Sequence, residues 1–126
     1  MKRRSFLKLV LSLPAAALAA GSAKRAEGAV LQESPVAGFQ FHRGEAVWPL
    51  LRRGASLRMV REPSNPYDPK AVALYFGTDK IGYVPRRENA VVARLLDQGV
   101  PLRARITRLR SSPDPWERVR FEVRLG

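Results

Sequence analysis

Arg61-Glu62-Pro63-Ser64-Asn65-Pro66-Tyr67-Asp68-Pro69-Lys70-Ala71-Val72 is the stretch on which the reading of this chain turns, together with Ile81-Gly82-Tyr83-Val84-Pro85-Arg86 shortly after it. Three prolines spaced three apart hold the backbone extended and remove three N–H donors, so the segment is a stiff corner. A corner that only reversed the chain would need no more than Gly, Asn or Ser. This one also carries an amide at Asn65, a ring at Tyr67 and a carboxylate at Asp68, and so reads as a shaped surface as well as a turn.

On either side of the corner the apolar residues recur with period two. Leu57 to Val60 reads as a strand, and so does Ala71 to Phe76, where Val72, Leu74 and Phe76 alternate with Ala71, Ala73 and Tyr75. Gly77-Thr78-Asp79-Lys80 supplies a turn, and Ile81 to Val84 returns as its hairpin partner. Upstream, Val36 to Phe41 is expected as a first strand in which Gly38 allows close backbone approach. Glu45 to Leu51 follows as a short helical turn that carries Trp48 inward, ended by Arg52-Arg53 and Gly54. Downstream, Asn89 is expected as the N-cap of a helix from Ala90 to Gln98 that buries Val91 and Leu95, with Val92 and Leu96 beside them, and stops at Gly99.

The last two strands show the most regular alternation. Leu102, Ala104 and Ile106 alternate with Arg103 and Arg105; Val119, Phe121, Val123 and Leu125 alternate with Arg118, Arg120, Glu122 and Arg124. Between them Ser111-Ser112-Pro113-Asp114-Pro115 reads as a loop, which makes a hairpin with one apolar and one arginine-rich face. There is no internal repeat. The fold class this predicts is mainly β: an OB-like small β-barrel of five to six strands with one substantial helix, α+β by content.

The N-terminus reads as an export signal before it reads as structure. Met1 to Lys8 contains Lys2, Arg3, Arg4 and Lys8 and no acid, Leu9 to Ala20 is apolar apart from Ser12, and small residues follow to Ala23. Arg3-Arg4-Ser5-Phe6-Leu7-Lys8 resembles the twin-arginine consensus, so Arg3, Arg4, Phe6, Leu7 and Lys8 are its candidate determinants; a general secretory signal is the alternative. Cleavage fits after Ala19 or after Ala23. The apolar run is too short for a membrane span and Pro14 interrupts it, so no stable membrane anchor is expected after processing and the product is expected in the periplasm or outside the cell. The expected organisation is a signal peptide over residues 1–23, a linker over 24–34 and one β-barrel domain over 35–126.

Composition narrows the function. The chain has no cysteine, which excludes disulfides and thiolate metal sites, and His42 alone cannot hold a transition metal; neither a metal nor a cofactor is expected. Of the 23 basic residues four precede Leu9, leaving 19 against 11 acids and a net +8 for the rest. Such a surface favours polyanions, or serves only for solubility. Ser-His-Asp spacing and a phosphate-cradling glycine loop are both missing, which points to a binding module and away from an enzyme.

From about Val36 to about Leu109 the chain resembles the HIRAN domain, a small β-barrel module known alone in bacteria and at the N-terminus of fork-remodelling DNA translocases; the run from Arg61 to Val72 is the most specific part of the likeness. The resemblance implies an OB-like barrel and a pocket for the 3′ end of single-stranded DNA. Asn65, Tyr67 and Asp68 match pocket residues of the proline corner, and Phe41 matches a first-strand aromatic that is Tyr in the DNA-binding relatives. Gln40 and His42 stand where those relatives carry a basic residue and a second aromatic; Arg86 and Arg87 occupy a region of basic phosphate contacts, and Lys70, beside the corner, is a further candidate phosphate contact. Asp68 would accept a hydrogen bond from a free 3′-hydroxyl, while the alternative is that Asp68 and Asn65 only cap the turn. Arg103, Arg105, Arg118, Arg120 and Arg124 form the candidate phosphate-backbone face, or a sheet's solvated side. The partner expected is single-stranded DNA or another polyanion; the alternative is an envelope protein or anionic glycan met by a repurposed pocket.

Overall fold

Six antiparallel strands, β1 (Val30–Pro35), β2 (Ser56–Arg61), β3 (Val72–Phe76), β4 (Asp79–Tyr83), β5 (Leu102–Leu109) and β6 (Val119–Leu125), form one curled sheet in the order β1-β6-β5-β2-β3-β4. The computed structural model describes residues 28–126; the export signal expected over 1–23, with Arg3, Arg4, Phe6, Leu7 and Lys8, and the first part of the expected linker lie outside the described residues. Among the described residues no helix is long and apolar enough to cross a membrane.

The sheet closes on itself at a single point. Just past β1, Ala37 donates its N–H to the carbonyl of Tyr83 at 2.9 Å, and Tyr83 returns the bond at 2.8 Å, which ties the β1 end of the sheet to the β4 edge. Gly82 is what permits this approach: a Cβ there would lie 2.3 Å from the Ala37 carbonyl oxygen, and its φ of +154° is one that L side chains rarely adopt. The product is a mainly β half-barrel of OB-like type, with one substantial helix.

Inside the curl Phe39, Leu74, Ile81, Ile106 and Phe121 are fully buried, each burial being worth about 1.5–3 kcal/mol. The period-two expectation for the last hairpin holds, since Ala104 and Ile106 of β5 meet Val119, Phe121 and Val123 of β6 in the core. Two short helical pieces, α1 (Gly44–Val47) and a 3₁₀ turn over Trp48–Leu50, occupy the expected helical turn. Trp48 is half-buried and meets the Phe39 ring edge-on, 6.1 Å between centroids.

The first strand lies earlier than expected. Pairing with β6 begins at Val30, inside the stretch expected to be linker, and Gly38 at φ +73° turns the chain out of the sheet into a 3₁₀ turn over Phe39–Phe41. β1 is an edge strand that buries only Ser34, so it needs ladder hydrogen bonds and no apolar alternation, and Pro35 stands at its end where an edge tolerates it. The Ser34 hydroxyl donates to Glu88 Oε1 at 2.5 Å.

α2 (Ala90–Asp97) starts and stops as expected. At its C-terminus Gly99 at φ +78° lets Gly99 N–H bond the Leu96 carbonyl and Val100 N–H the Leu95 carbonyl, the paired bonds of a Schellman ending. The buried face is different. Asn89, Val92 and Ala93 are buried and Leu96 packs on the core, an i, i+3, i+4, i+7 stripe, whereas Val91 is 59% exposed and Leu95 only half-buried. Asn89 sets this phase because its side chain is drawn inward instead of capping the helix backbone.

Candidate functional site

The proline corner between β2 and β3 is held by its own polar residues. Asn65 Oδ1 accepts from the N–H groups of Tyr67 at 2.9 Å and Asp68 at 3.2 Å, while Asn65 Nδ2 donates to Glu62 at 3.0 Å. Asp68 Oδ1 accepts from Lys70 N–H at 2.9 Å, and its Oδ2 accepts from the Asn89 amide at 2.7 Å. Both residues therefore cap the turn, and Asp68 also ties it to the start of α2. Between these two anchors Tyr67 is turned outward and is 83% exposed.

Behind the corner stands a small ionic network. Lys80 Nζ donates to Glu62 Oε2 at 2.8 Å and to the Tyr83 hydroxyl at 2.9 Å, and that hydroxyl donates to Glu62 Oε1 at 2.7 Å. Burial by itself would raise the Glu62 pKa, but the bonds from Lys80, Tyr83 and Asn65 outweigh it and hold the carboxyl below its usual range. Burial likewise works against the Lys80 charge and is outweighed, so that the ammonium is held more firmly than in water. Burial raises the Tyr83 pKa. The network keeps Glu62 charged and so keeps Asn65 oriented.

Between the corner and the Phe39–Phe41 turn opens a cleft of about 530 Å³. Its floor is the closing seam, Ala37 and Tyr83 with Val84; one wall is Phe41 and His42, the other Asn65 to Asp68, and Arg86 stands at the margin. Phe41 is 78% exposed, so its ring and that of Tyr67 are presented to solvent across a largely apolar hollow. His42 meets Tyr83 edge-on at 5.4 Å. Burial first, and the Lys80 charge second, push the His42 pKa down, leaving a neutral imidazole with one donor and one acceptor at pH 7. The arrangement suits planar groups between two rings, an anion at Arg86, and a hydroxyl donor at Asp68, whose carboxylate has lone pairs left after two bonds.

Five of the six residues expected for the pocket thus come together: Phe41, His42, Asn65, Tyr67 and Asp68, with Arg86 from the expected basic set. Phe41 is delivered by a 3₁₀ turn and not by a strand. Gln40 is exposed on the same turn and does not line the cleft, nor does Arg87. Lys70, expected as a phosphate contact, does not line the cleft but a separate groove beside α2, with Val91 and Arg94.

The arginines of the last hairpin do not form a uniform cationic track. Arg105 and Arg124 both donate to Glu122, which is only 8% exposed. The Arg124 bond holds that carboxyl below its usual range, against burial, with Arg105 adding to it. Arg118 folds inward over the rings of Trp48 at 4.2 Å and Phe39 at 5.4 Å and bonds Glu45 at 2.7 Å. Arg120 is 3.8 Å from Glu33, and Arg103 is exposed with no acid partner among the described residues. Ala37, which closes the seam, and Asn89, which anchors the corner through Asp68, carry no mark of those roles in their local sequence. The one local mark of the seam is the Gly82-Tyr83 pair, since a glycine inside a strand signals close backbone approach.

A curled antiparallel half-barrel with a cleft of exposed aromatic rings at its seam defines a small β-barrel domain of OB-like type. The family profile described as the HIRAN domain matches residues 30–125, and the chain belongs to that family. A crystal structure of a protein from Lactobacillus plantarum superposes with a TM-score of 0.61 at 26% identity, over 76% of this chain and 95% of that one. The crystal structure of the HIRAN domain of human HLTF superposes with a TM-score of 0.59 at 14% identity, over 74% of this chain and 73% of that one, a likeness of fold. A Fanconi-associated nuclease 1 homolog of Oryza sativa subsp. japonica is 36% identical over an alignment of 73 residues that covers 55% of this chain and only 7% of the rice protein.

Proposed function

We propose that this HIRAN domain is a non-catalytic module that binds single-stranded DNA, taking the 3′ end of the strand into the seam cleft. The observation that carries the reading is the pair Phe41 and Tyr67: two large rings, 78% and 83% exposed, that line one cleft and serve no part of the core. Exposing two such rings has no structural return, whereas each base stacked on a ring contributes roughly 1–3 kcal/mol. Arg86 lies where the first phosphate would pass. Asp68 supplies the end preference, because its carboxylate attracts a 3′-hydroxyl and repels a 3′-phosphate.

The reading is tested with oligonucleotides ending in 3′-hydroxyl, 3′-phosphate or a blocking group, using the native chain and Asp68→Asn, which removes the charge at the same side-chain size and keeps both bonds of the corner once the Asn89 amide turns its oxygen toward it. Circular dichroism establishes that both are folded. The native chain is expected to prefer the hydroxyl end and the variant to lose that preference. An absent preference, or one unchanged by the substitution, rejects end recognition and leaves the cleft to an envelope protein or an anionic glycan.

The same proposal places the domain outside the cytoplasmic membrane, supported by Arg3-Arg4 ahead of Phe6-Leu7-Lys8. Replacing both arginines with lysine is expected to retain the folded chain in the cytoplasm. Undiminished export of that variant assigns the signal to the general route.

A further inference from the structure

We propose that the tip of the β5–β6 hairpin is a second nucleic-acid subsite, which takes a base on Trp116 and phosphates on Arg108, Arg110 and Arg120 from the same strand whose end fills the cleft. It rests on the cleft reading and extends it. A separate hollow of about 200 Å³ is lined there by these four residues with Pro35 and Glu117. Trp116 is 51% exposed, and among the described residues its ring pairs with no other ring and no cation, in contrast to Trp48. Its backbone is fixed all the same: Asp114 accepts from Trp116 N–H at 3.0 Å and caps the 3₁₀ turn Pro115–Glu117.

The arginines are placed against their own electrostatics. A register shift between Ile106 and Arg108 sets Arg108 directly opposite Arg120. Like charges facing one another across a ladder are destabilising, and Arg110, just past the end of β5, brings a third to the same hollow. Compensation inside the chain is thin: Arg110 reaches Glu117 at 3.6 Å, Arg120 reaches Glu33 at 3.8 Å, both exposed and long, and Arg108 has no acid partner among the described residues. Three guanidiniums beside a bare indole suit a ligand that alternates anions with flat rings. A sulfated glycan offers the anions without the rings.

Position argues for one continuous ligand. The Pro115–Glu117 turn packs against the Phe39–Phe41 turn, and Phe41 is a wall of the cleft. A strand leaving the cleft over Phe41 therefore reaches Trp116 by crossing one turn. Arg118, two residues past Trp116, is folded inward onto Trp48 and takes no part.

The experiment uses the full chain and 3′-hydroxyl oligonucleotides of about 4 and about 10 nucleotides, both within the range of site sizes for such barrels, at two salt concentrations. Trp116→Ala is expected to leave the short ligand within about twofold and to weaken the long one at least about fivefold, the equivalent of about 1 kcal/mol. Arg108→Ala is expected to lower the salt slope by about 0.7 for the long ligand only. Tyr67→Ala should weaken both lengths. Equal losses for both lengths with Trp116→Ala, or none for either, overturn the subsite while the Tyr67 result leaves the cleft standing. Failure of the native chain to bind either length overturns both readings. A Trp116 variant that retains the long oligonucleotide but loses a sulfated polysaccharide reassigns the patch to glycan and overturns the proposal.

Discussion

Tyr67 and Gly82 make opposite demands on the same small region. Tyr67 touches little of the core, so Tyr67→Ala and Phe41→Ala should shift stability by less than about 0.5 kcal/mol while each weakens single-stranded ligands by roughly 1–3 kcal/mol, as read by denaturant titration beside binding isotherms. Unaltered affinity in either variant would remove that ring from the site. Gly82 contacts no ligand in this reading, yet a methyl group there would strike the Ala37 carbonyl. Gly82→Ala should therefore cost about 3 kcal/mol of stability and loosen the cleft floor, a change that hydrogen exchange of the Ala37 and Tyr83 amides would register. Retained protection of those two amides would show that the seam tolerates the side chain. The chemistry at Tyr67 was legible from the residue itself, and the demand at Gly82 only from the strand it approaches.

α2 shows what an element owes to its partner. Apolar residues at 91, 92, 95 and 96 allow two helical phases, and the choice between them is made by the Asn89 amide bonding Asp68 at 2.7 Å across the corner. Val92→Ala should accordingly cost about 2 kcal/mol, and Val91→Ala less than about 0.5 kcal/mol. Equal costs would mean that the face is wrongly assigned. Asn89→Ala leaves Asp68 with only the Lys70 N–H and should cost about 1–3 kcal/mol, with the larger functional effect falling on the corner. β1 is the converse case. Its polar run carries no alternation to read, because an edge strand is specified by backbone bonds to β6 and by Ser34 reaching Glu88.

At the scale of the molecule, acid should act on the cleft before it acts on the core. His42 is held neutral, its pKa below the ordinary 6.5, so its contribution is present above that value and is lost as the pH falls through the range just below it. Glu62 is held charged, its pKa below the ordinary 4.5, and its contribution is lost as the pH falls further. Denaturation midpoints should therefore decline in two stages between pH 7 and the acid range. His42→Gln should flatten the first stage and Glu62→Gln the second. A single stage unaffected by either substitution would show that these groups are not coupled to folding.

What this sequence determined by itself is what neighbouring residues decide among themselves. The stiffness and polarity of the proline corner, the alternation of β5 and β6 and the stop of α2 at Gly99 all follow from local sterics and local bonds, which is why the OB-like class and the corner residues Asn65, Tyr67 and Asp68 were legible, whereas Phe41, His42 and Arg86 were reached only through the family resemblance. Only the tertiary structure decided the position of β1, the seam at Ala37 and Tyr83, the phase of α2 and the internal pairing of the arginine face. Those rest on bonds between residues far apart in the chain, Ser34 with Glu88 and Arg118 with Glu45 among them. Such bonds leave no periodic trace in sequence, because a hydrogen bond needs its two groups brought to one place and does not constrain the residues in between.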